Sequence, residues 1–307
     1  MMRFDEARFV TALSRASRRG RLRIGVGDDL AWVQGSGDRG FLLGADMLLD
    51  GVHFDTRRHT MRAIGRKAVA CNLSDCAAMA VRPVATTVSL ALRRGMTMRQ
   101  ANDLMRGAAA AAKEFDAEIA GGDTTVWDHP LAVDVAIVAE PYARVQPVQR
   151  DGARAGDRIL VTGPLGGSLL GKHMTFTPRV GEARRLALRL GARLHAMMDV
   201  SDGLLLDLHR MCAASRVGAC LVEEEVQEAV SAAARRAAVR DGRSALDHAL
   251  SDGEDFELLI AAAVDDSEIR RLGVPLIPIG WVRKSGFVMR LASGRMRQLR
   301  PAGYVHR

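Results

Sequence analysis

Acidic residues recur in this chain inside apolar runs, not on solvated charged faces. Asp28 and Asp29 follow Gly25 and Gly27, and Asp46 follows the strand-like run from Phe41 to Ala45. The pattern returns as NLSDCAAM at 72–79, GGDT at 121–124, DVSDG at 199–203 and DGEDFE at 252–257. Moving an unpaired carboxylate into such surroundings costs several kcal/mol, so a fold that does so repeatedly needs compensating cations. Bound metal ions are the economical answer. One Asp-Asp pair beside glycines is equally well explained by turn formation, and taken alone it decides nothing.

The chain has 307 residues, 48% of them hydrophobic, enough for a large core. Single cores stop growing near ~250 to 300 residues, so two domains are expected, with the boundary in the polar, Pro- and Gly-containing run from Arg144 to Asp157, dividing 1–147 from 148–307. The net charge is +8, carried mostly by Arg, because Lys stands only at 67, 113, 172 and 284. The arginines are spread over helical segments such as 181–193 and 230–243 without interleaved aromatics, so they read as a solvated surface and no nucleic-acid partner is expected. A fraction suits the phosphates of a small anionic ligand. The cysteines, 71, 76, 212 and 220, form no CxxC pair and read as buried free thiols. No signal-peptide core and no run of 18 apolar residues is present, so no membrane partner and a cytoplasmic location are expected.

Periodicity predicts a helix over 4–17 with Phe9, Val10 and Leu13 on one side, then two short strands within 24–46 with Asp46 ending the second. Residues 60–80 form a helix so apolar after Lys67 that it must be largely buried, which sets Asn72 and Asp75 apart on one face. A strand at 84–92, a helix at 97–115 and strands at 117–121 and 131–139 complete a mixed α/β first half. The second half reads as a strand at 158–162, helices at 181–197, 202–215 and 227–238, and strands at 218–223, 256–262, 275–281 and 287–291. The glycine-rich turn at 163–171 lacks the Gly-Lys-Ser/Thr ending of a P-loop, and close strand-to-helix packing is favoured over a phosphate cradle.

Separated aspartates suit magnesium, which takes oxygen ligands from one or two carboxylates per ion and shares substrate phosphates. Such ions neutralise the charge on a transferring phosphoryl group, so no nucleophilic side chain is needed, and no Ser-His-Asp or Cys-His set is evident. With GVGDD at 25–29, DMLLDGVHF at 46–54, KAVACNLSDCAAMAVRP at 67–83, GGDTT at 121–125, GARAGDRILVTGPLG at 152–166, DVSDGLLLDL at 199–208 and ALSDGEDFELL at 249–259, nearly the whole chain resembles the thiamine-monophosphate kinase family. Its superfamily also holds aminoimidazole ribonucleotide synthetase, selenophosphate synthetase and a hydrogenase maturation factor.

The resemblance implies an α+β fold of two mixed α/β domains of the aminoimidazole ribonucleotide synthetase-like type. It also implies a homodimer paired through the N-terminal sheets, and magnesium-assisted, in-line phosphorylation of thiamine monophosphate by ATP. Carried over by position, Asp29, Asp46, Asp75, Asp123, Asp199 and Asp202 are implied metal ligands. Gly122, Asp123, Arg150 and Ser201 are implied nucleotide contacts, and His53 and Glu254 contacts to the acceptor. Gly44-Ala45 stand where the family commonly has Ser-Thr, and Pro301 where it has an aromatic residue, with Tyr304 the nearest ring. Two alternatives stand beside the kinase: a superfamily member with another acceptor, and a non-catalytic nucleotide sensor.

Overall fold

The computed structural model describes residues 6–16, 20–35 and 40–305. Positions 4, 5 and 17 of the expected first helix lie outside them; the helix itself is α1 (Glu6–Ala16). The N-terminal sheet contains β1 (Leu22–Ile24), β2 (Ala31–Gln34), β3 (Gly40–Leu49), β4 (Val81–Arg93), β5 (Glu118–Gly121), β6 (Thr124–Trp127) and β7 (Ala132–Pro141). Its order is β1-β2-β3-β7-β4-β5, with β6 also pairing β4. Helices α2 (Met61–Ala78) and α3 (Met98–Glu114) cover one face.

Helix α2 begins where Thr60 accepts the Ala63 N–H at 3.2 Å, satisfying one of the free donors of a helix start. It is buried along most of its length, because it packs on α3 and on elements of both sheets. A Cβ at Gly65 would come within 2.0 Å of the Leu104 carbonyl oxygen of α3, so glycine there permits the close helix crossing.

Asp46 does not end its strand. Strand β3 runs on to Leu49, and its residues alternate, with Leu42 and Leu48 buried and Phe41, Leu43 and Met47 exposed. Asp46 shares the side of Leu42 and Leu48, so its carboxylate is on the face toward α2. The two-residue period, not the strand end, therefore positions it.

The C-terminal sheet contains β8 (Arg158–Val161), β9 (Leu194–Asp199), β10 (Gly218–Val222), β11 (Leu258–Ala262), β12 (Ile277–Arg283), β13 (Phe287–Arg290) and β14 (Met296–Gln298), in the order β14-β13-β10-β12-β8-β11-β9. Around it lie α4 (Lys172–Thr175), α5 (Val180–Leu190), α6 (Leu204–Ser215), α7 (Glu223–Glu228), α8 (Ala232–Asp241), α9 (Ala245–Ser251) and α10 (Asp266–Ile269). The helix expected over 181–197 stops at Leu190, where Gly191 takes φ +53; a single 3-10 turn over Gly191–Arg193 follows, and from Leu194 the chain is strand β9, paired with β11. Strand β9 is buried almost throughout, so its apolar run lacks the period that marks a half-exposed strand. The helix expected over 227–238 is two helices, because Ser231 caps α8 by accepting the Ala234 N–H at 2.8 Å. Strand β6 and helix α9, absent from the sequence reading, are both short.

Candidate active site

The architecture brings three expected ligands together from three elements. Asp29 lies between β1 and β2, Asp75 in the last turn of α2 and Asp199 at the end of β9. One carboxylate oxygen from each lies within 4.8 Å of the others. Arg150 is the adjacent cation: its Nη2 donates to Asp29 Oδ1 at 2.6 Å, and its Nε stands 3.5 Å from Asp28 Oδ1. The second oxygen of Asp29 is buried with no hydrogen-bond partner among the described residues. Ser74 Oγ donates to Asp199 Oδ2 at 2.6 Å, fixing that carboxylate.

Burial, and then crowding, raises the carboxyl pKa values. Burial, followed by the charges of Asp46, Asp199 and Asp29, pushes Asp75 well above its ordinary range. Burial and then Asp29 do the same to Asp199. Asp46 rises to about 6 through burial, Asp29 and Asp134, and Asp28 to about 7 through burial and Asp29 against the pull of Arg150. A divalent cation would offset both the burial penalty and the mutual repulsion behind these shifts. Three hard oxygen donors, one oxygen of Asp29 lacking a partner, fit magnesium.

Beside the triad opens a cavity of about 290 Å³, lined by Asp46, Asp75, Asp199, His53, Glu254 and Tyr304 among others. Ser201 and Asp202 reach it from the turn after β9. The Asp202 carboxylate is held by Arg210 Nη1, which also donates to Asp207 at 3.0 Å. Asp207, buried on α6, accepts the N–H groups of Asp202 and Gly203 at 3.0 Å each and so fixes this turn. Neither Arg210 nor Asp207 stood out in the sequence, although the DxSDGxxxD spacing places an acid within reach of the turn's own N–H groups.

Gly122 and Asp123 are not brought to the triad. They occupy the exposed turn between β5 and β6, three strand positions from β3, which carries Asp46. Arg150 faces the acids, as the triad's cation.

His53 Nδ1 accepts the Leu49 N–H at 3.0 Å, and the His53 carbonyl accepts from Lys67 Nζ at 2.6 Å. The same Nζ donates to Glu254 Oε1 at 2.6 Å. Lys67 was not expected as a site residue; its signal was a lysine at the point, just after Arg66, where the helix becomes apolar. The glycine-rich turn has no free cradle for phosphate: Gly166 N–H is taken by Asp255 at 2.9 Å and Gly167 N–H by Asp252 at 2.9 Å. A Cβ at Gly166 would lie 2.5 Å from the Ala249 backbone nitrogen, so close packing accounts for that glycine. Cys71 also lines the cavity, but burial pushes its thiol up, away from the reactive thiolate.

Residues 27–140 match the family described as AIR synthase related protein, N-terminal domain. The chain is 39% identical over 305 residues to a thiamine-monophosphate kinase of Rhodopirellula baltica, covering 94% of each protein. Among solved structures it resembles AaThiL complexed with AMPPCP and TMP, with a TM-score of 0.82, 25% identity and coverage of 99% of this chain and 98% of that one. It is also similar to a thiamine-monophosphate kinase of Stenotrophomonas maltophilia, with a TM-score of 0.71, 32% identity and coverage of 95% and 96%.

Proposed function

This chain belongs to the thiamine-monophosphate kinase family, and we propose that it transfers the γ-phosphoryl group of ATP to thiamine monophosphate, giving thiamine diphosphate and ADP. The observation that carries the reading is the Asp29, Asp75 and Asp199 triad at the cavity, an acidic concentration that makes chemical sense opposite metal-bound phosphates. Magnesium held there, with Asp46 and Asp202 at the margins, would supply charge neutralisation to the phosphates. The protein's own part is to orient the two substrates and exclude water: Ser74 fixes Asp199, Asp207 fixes the turn carrying Ser201 and Asp202, and His53 and Glu254 flank the acceptor.

An acceptor phosphate oxygen bonds to the γ-phosphorus while the bond to the ADP oxygen breaks, with no phosphoenzyme. In this reading Arg150, Ser201, Gly122 and Asp123 contact the nucleotide. A homodimer pairs the exposed outer face of the N-terminal sheet, where Phe41, Leu43, Met47 and Val138 are only partly covered. The domains divide at 147/148, between Pro141 of the first sheet and Arg158 of the second. No helix among the described residues is long and apolar enough to cross a membrane, which is compatible with a cytoplasmic enzyme.

The test is a coupled assay with ATP and magnesium, offering thiamine, thiamine monophosphate and aminoimidazole precursors separately. Product is expected from thiamine monophosphate alone. No product at millimolar concentration, with the protein folded and ATP bound, would overturn the reading in favour of another acceptor or a sensor. A chiral γ-thiophosphate donor should give inversion; net retention would require two displacements.

A further inference from the structure

We infer that Lys67 is a positioning residue of the acceptor pocket, a single ammonium that ties His53 to Glu254 and so fixes the pocket's two walls relative to each other. The inference rests on the kinase reading above. Lys67 is fully buried, and its Nζ donates to both the His53 carbonyl and Glu254 Oε1 at 2.6 Å. His53 follows β3 of the first sheet, whereas Glu254 precedes β11 of the second, so this contact crosses between the two halves of the chain.

The helix sets the spacing. Lys67, Cys71 and Asp75 stand at i, i+4 and i+8 on one ridge of α2, the last two lining the cavity, with about 12 Å of helix rise from residue 67 to residue 75. One rigid rod thus carries both the metal end and the acceptor end of the site. Glu254 is itself held at φ +52, an uncommon conformation for a residue with a Cβ, by its N–H donating to the Ser201 carbonyl at 2.6 Å and its carbonyl accepting from Ser168 Oγ at 2.5 Å. Its side chain keeps 22% exposure, on the cavity it lines. With the ammonium beside it, Glu254 acts on an acceptor through the placement of its oxygens more than through unbalanced negative charge.

Calorimetry of thiamine monophosphate and of a non-hydrolysable ATP analogue, both with magnesium, separates this role from a merely structural one, as does the division between KM and kcat. Lys67→Met is expected to weaken thiamine monophosphate binding by about tenfold or more and to leave the ATP analogue within about twofold, the size of a lost charge-assisted hydrogen bond. Lys67→Arg should recover part of the loss. Because Lys67→Met leaves Glu254 without its cation, the double variant Lys67→Met/Glu254→Gln is measured as well; it should fold and still bind thiamine monophosphate about tenfold more weakly than Glu254→Gln alone. Equality of those two variants, or equal weakening of both ligands in Lys67→Met, overturns the inference. Failure of the wild-type protein to bind thiamine monophosphate is a different result: it removes the acceptor reading and this inference with it.

Discussion

Asp75 and Glu257 are carboxylates in similarly apolar surroundings whose pKa values move in opposite directions. Asp75 is pushed well above its usual range by burial and by other acids. Glu257, only 1% exposed, is held below its range although burial opposes this, because Arg179 and Lys172 surround it. Arg179 donates to both Glu257 oxygens at 2.8 and 3.0 Å, Lys172 donates at 2.7 Å and Thr162 at 2.7 Å. The protein therefore builds complete internal compensation for one acid and withholds it from another. Glu257 fastens α4 and the residue before α5 to the second sheet, a structural task; the Asp75 region is left short of positive charge for something that arrives from outside.

The largest effect expected from this contrast is on turnover. Asp75→Asn and Asp46→Asn should each lower kcat by ~10²-fold or more, the scale of losing one preorganised electrostatic contact in a transition state. In metal-free buffer both variants should be as stable as the wild type or more stable, since each dilutes a like-charge cluster. Near-normal turnover in either variant at limiting magnesium would remove that residue from the metal site. Glu257→Gln should behave oppositely, losing about 3 kcal/mol or more in urea unfolding because Arg179 and Lys172 lose their anion. If Asp75→Asn destabilises the metal-free protein as much as Glu257→Gln does, the contrast between the two regions is broken.

Acid provides a smaller, signed version of the same test. Asp46 holds its proton more tightly folded, at about 6 against 3.8, so its contribution to stability is complete below about pH 4 and lost as pH rises through 6. His173, in the segment fastened by Glu257, is lowered from 6.5 to about 4 by burial and then by Lys67, with its Nδ1 hydrogen-bonded to the Ser168 carbonyl at 3.0 Å. Its contribution is present above about pH 6.5 and lost as pH falls toward 4. Without divalent ions, Asp46→Asn should remove part of the gain of stability on acidification from pH 6 to 4, the rest belonging to the other raised acids, and His173→Gln should remove part of the loss. Urea midpoints across that interval decide both; a pH profile unchanged by either substitution counts against these assignments.

Much of this arrangement was legible in the sequence where one local rule sufficed. An apolar helix carrying Asp75 had to be buried, and the acidic blocks marked the segments that converge. Strand β9 is hidden in the sequence because Ala196, Met197 and Met198 are all buried and show no two-residue period, so they read as more of the helix before them, with Gly191 marking the break. Asp46 was placed at a strand end because an aspartate after Phe41–Ala45 looks like a stop; the alternation of Leu42, Asp46 and Leu48 was the better guide. Lys67 escaped notice because its partners, His53 and Glu254, are 14 and 187 residues away in the chain. The same alternation bears on Gly44-Ala45. Ala45 is on the outer face of β3, opposite Asp46, and Leu30 Cδ2 lies 2.5 Å from where a Gly44 Cβ would stand. A side chain at 44 would have to displace Leu30, and one at 45 would face away from Asp46.

The smallest expected effect belongs to Ser74, which lies next to Asp75 on α2 but serves Asp199. Its hydroxyl donates to Asp199 Oδ2 at 2.6 Å, and both residues are buried. That hydrogen bond favours the charged carboxylate, opposing the burial and neighbouring acids that raise Asp199. Ser74→Ala should cost about 1 kcal/mol in metal-free stability, the ordinary net size of a buried hydrogen bond. With magnesium saturating, turnover should fall only a few-fold, because Asp199 keeps its place at the end of β9 and the metal replaces the lost positive end of the hydroxyl dipole. Raising magnesium should recover part of the activity, and the apparent magnesium requirement should increase. A loss of turnover as large as that of Asp75→Asn, unrelieved by magnesium, would mean that Ser74 itself touches the metal or the phosphates and that the α2 contribution extends beyond one carboxylate.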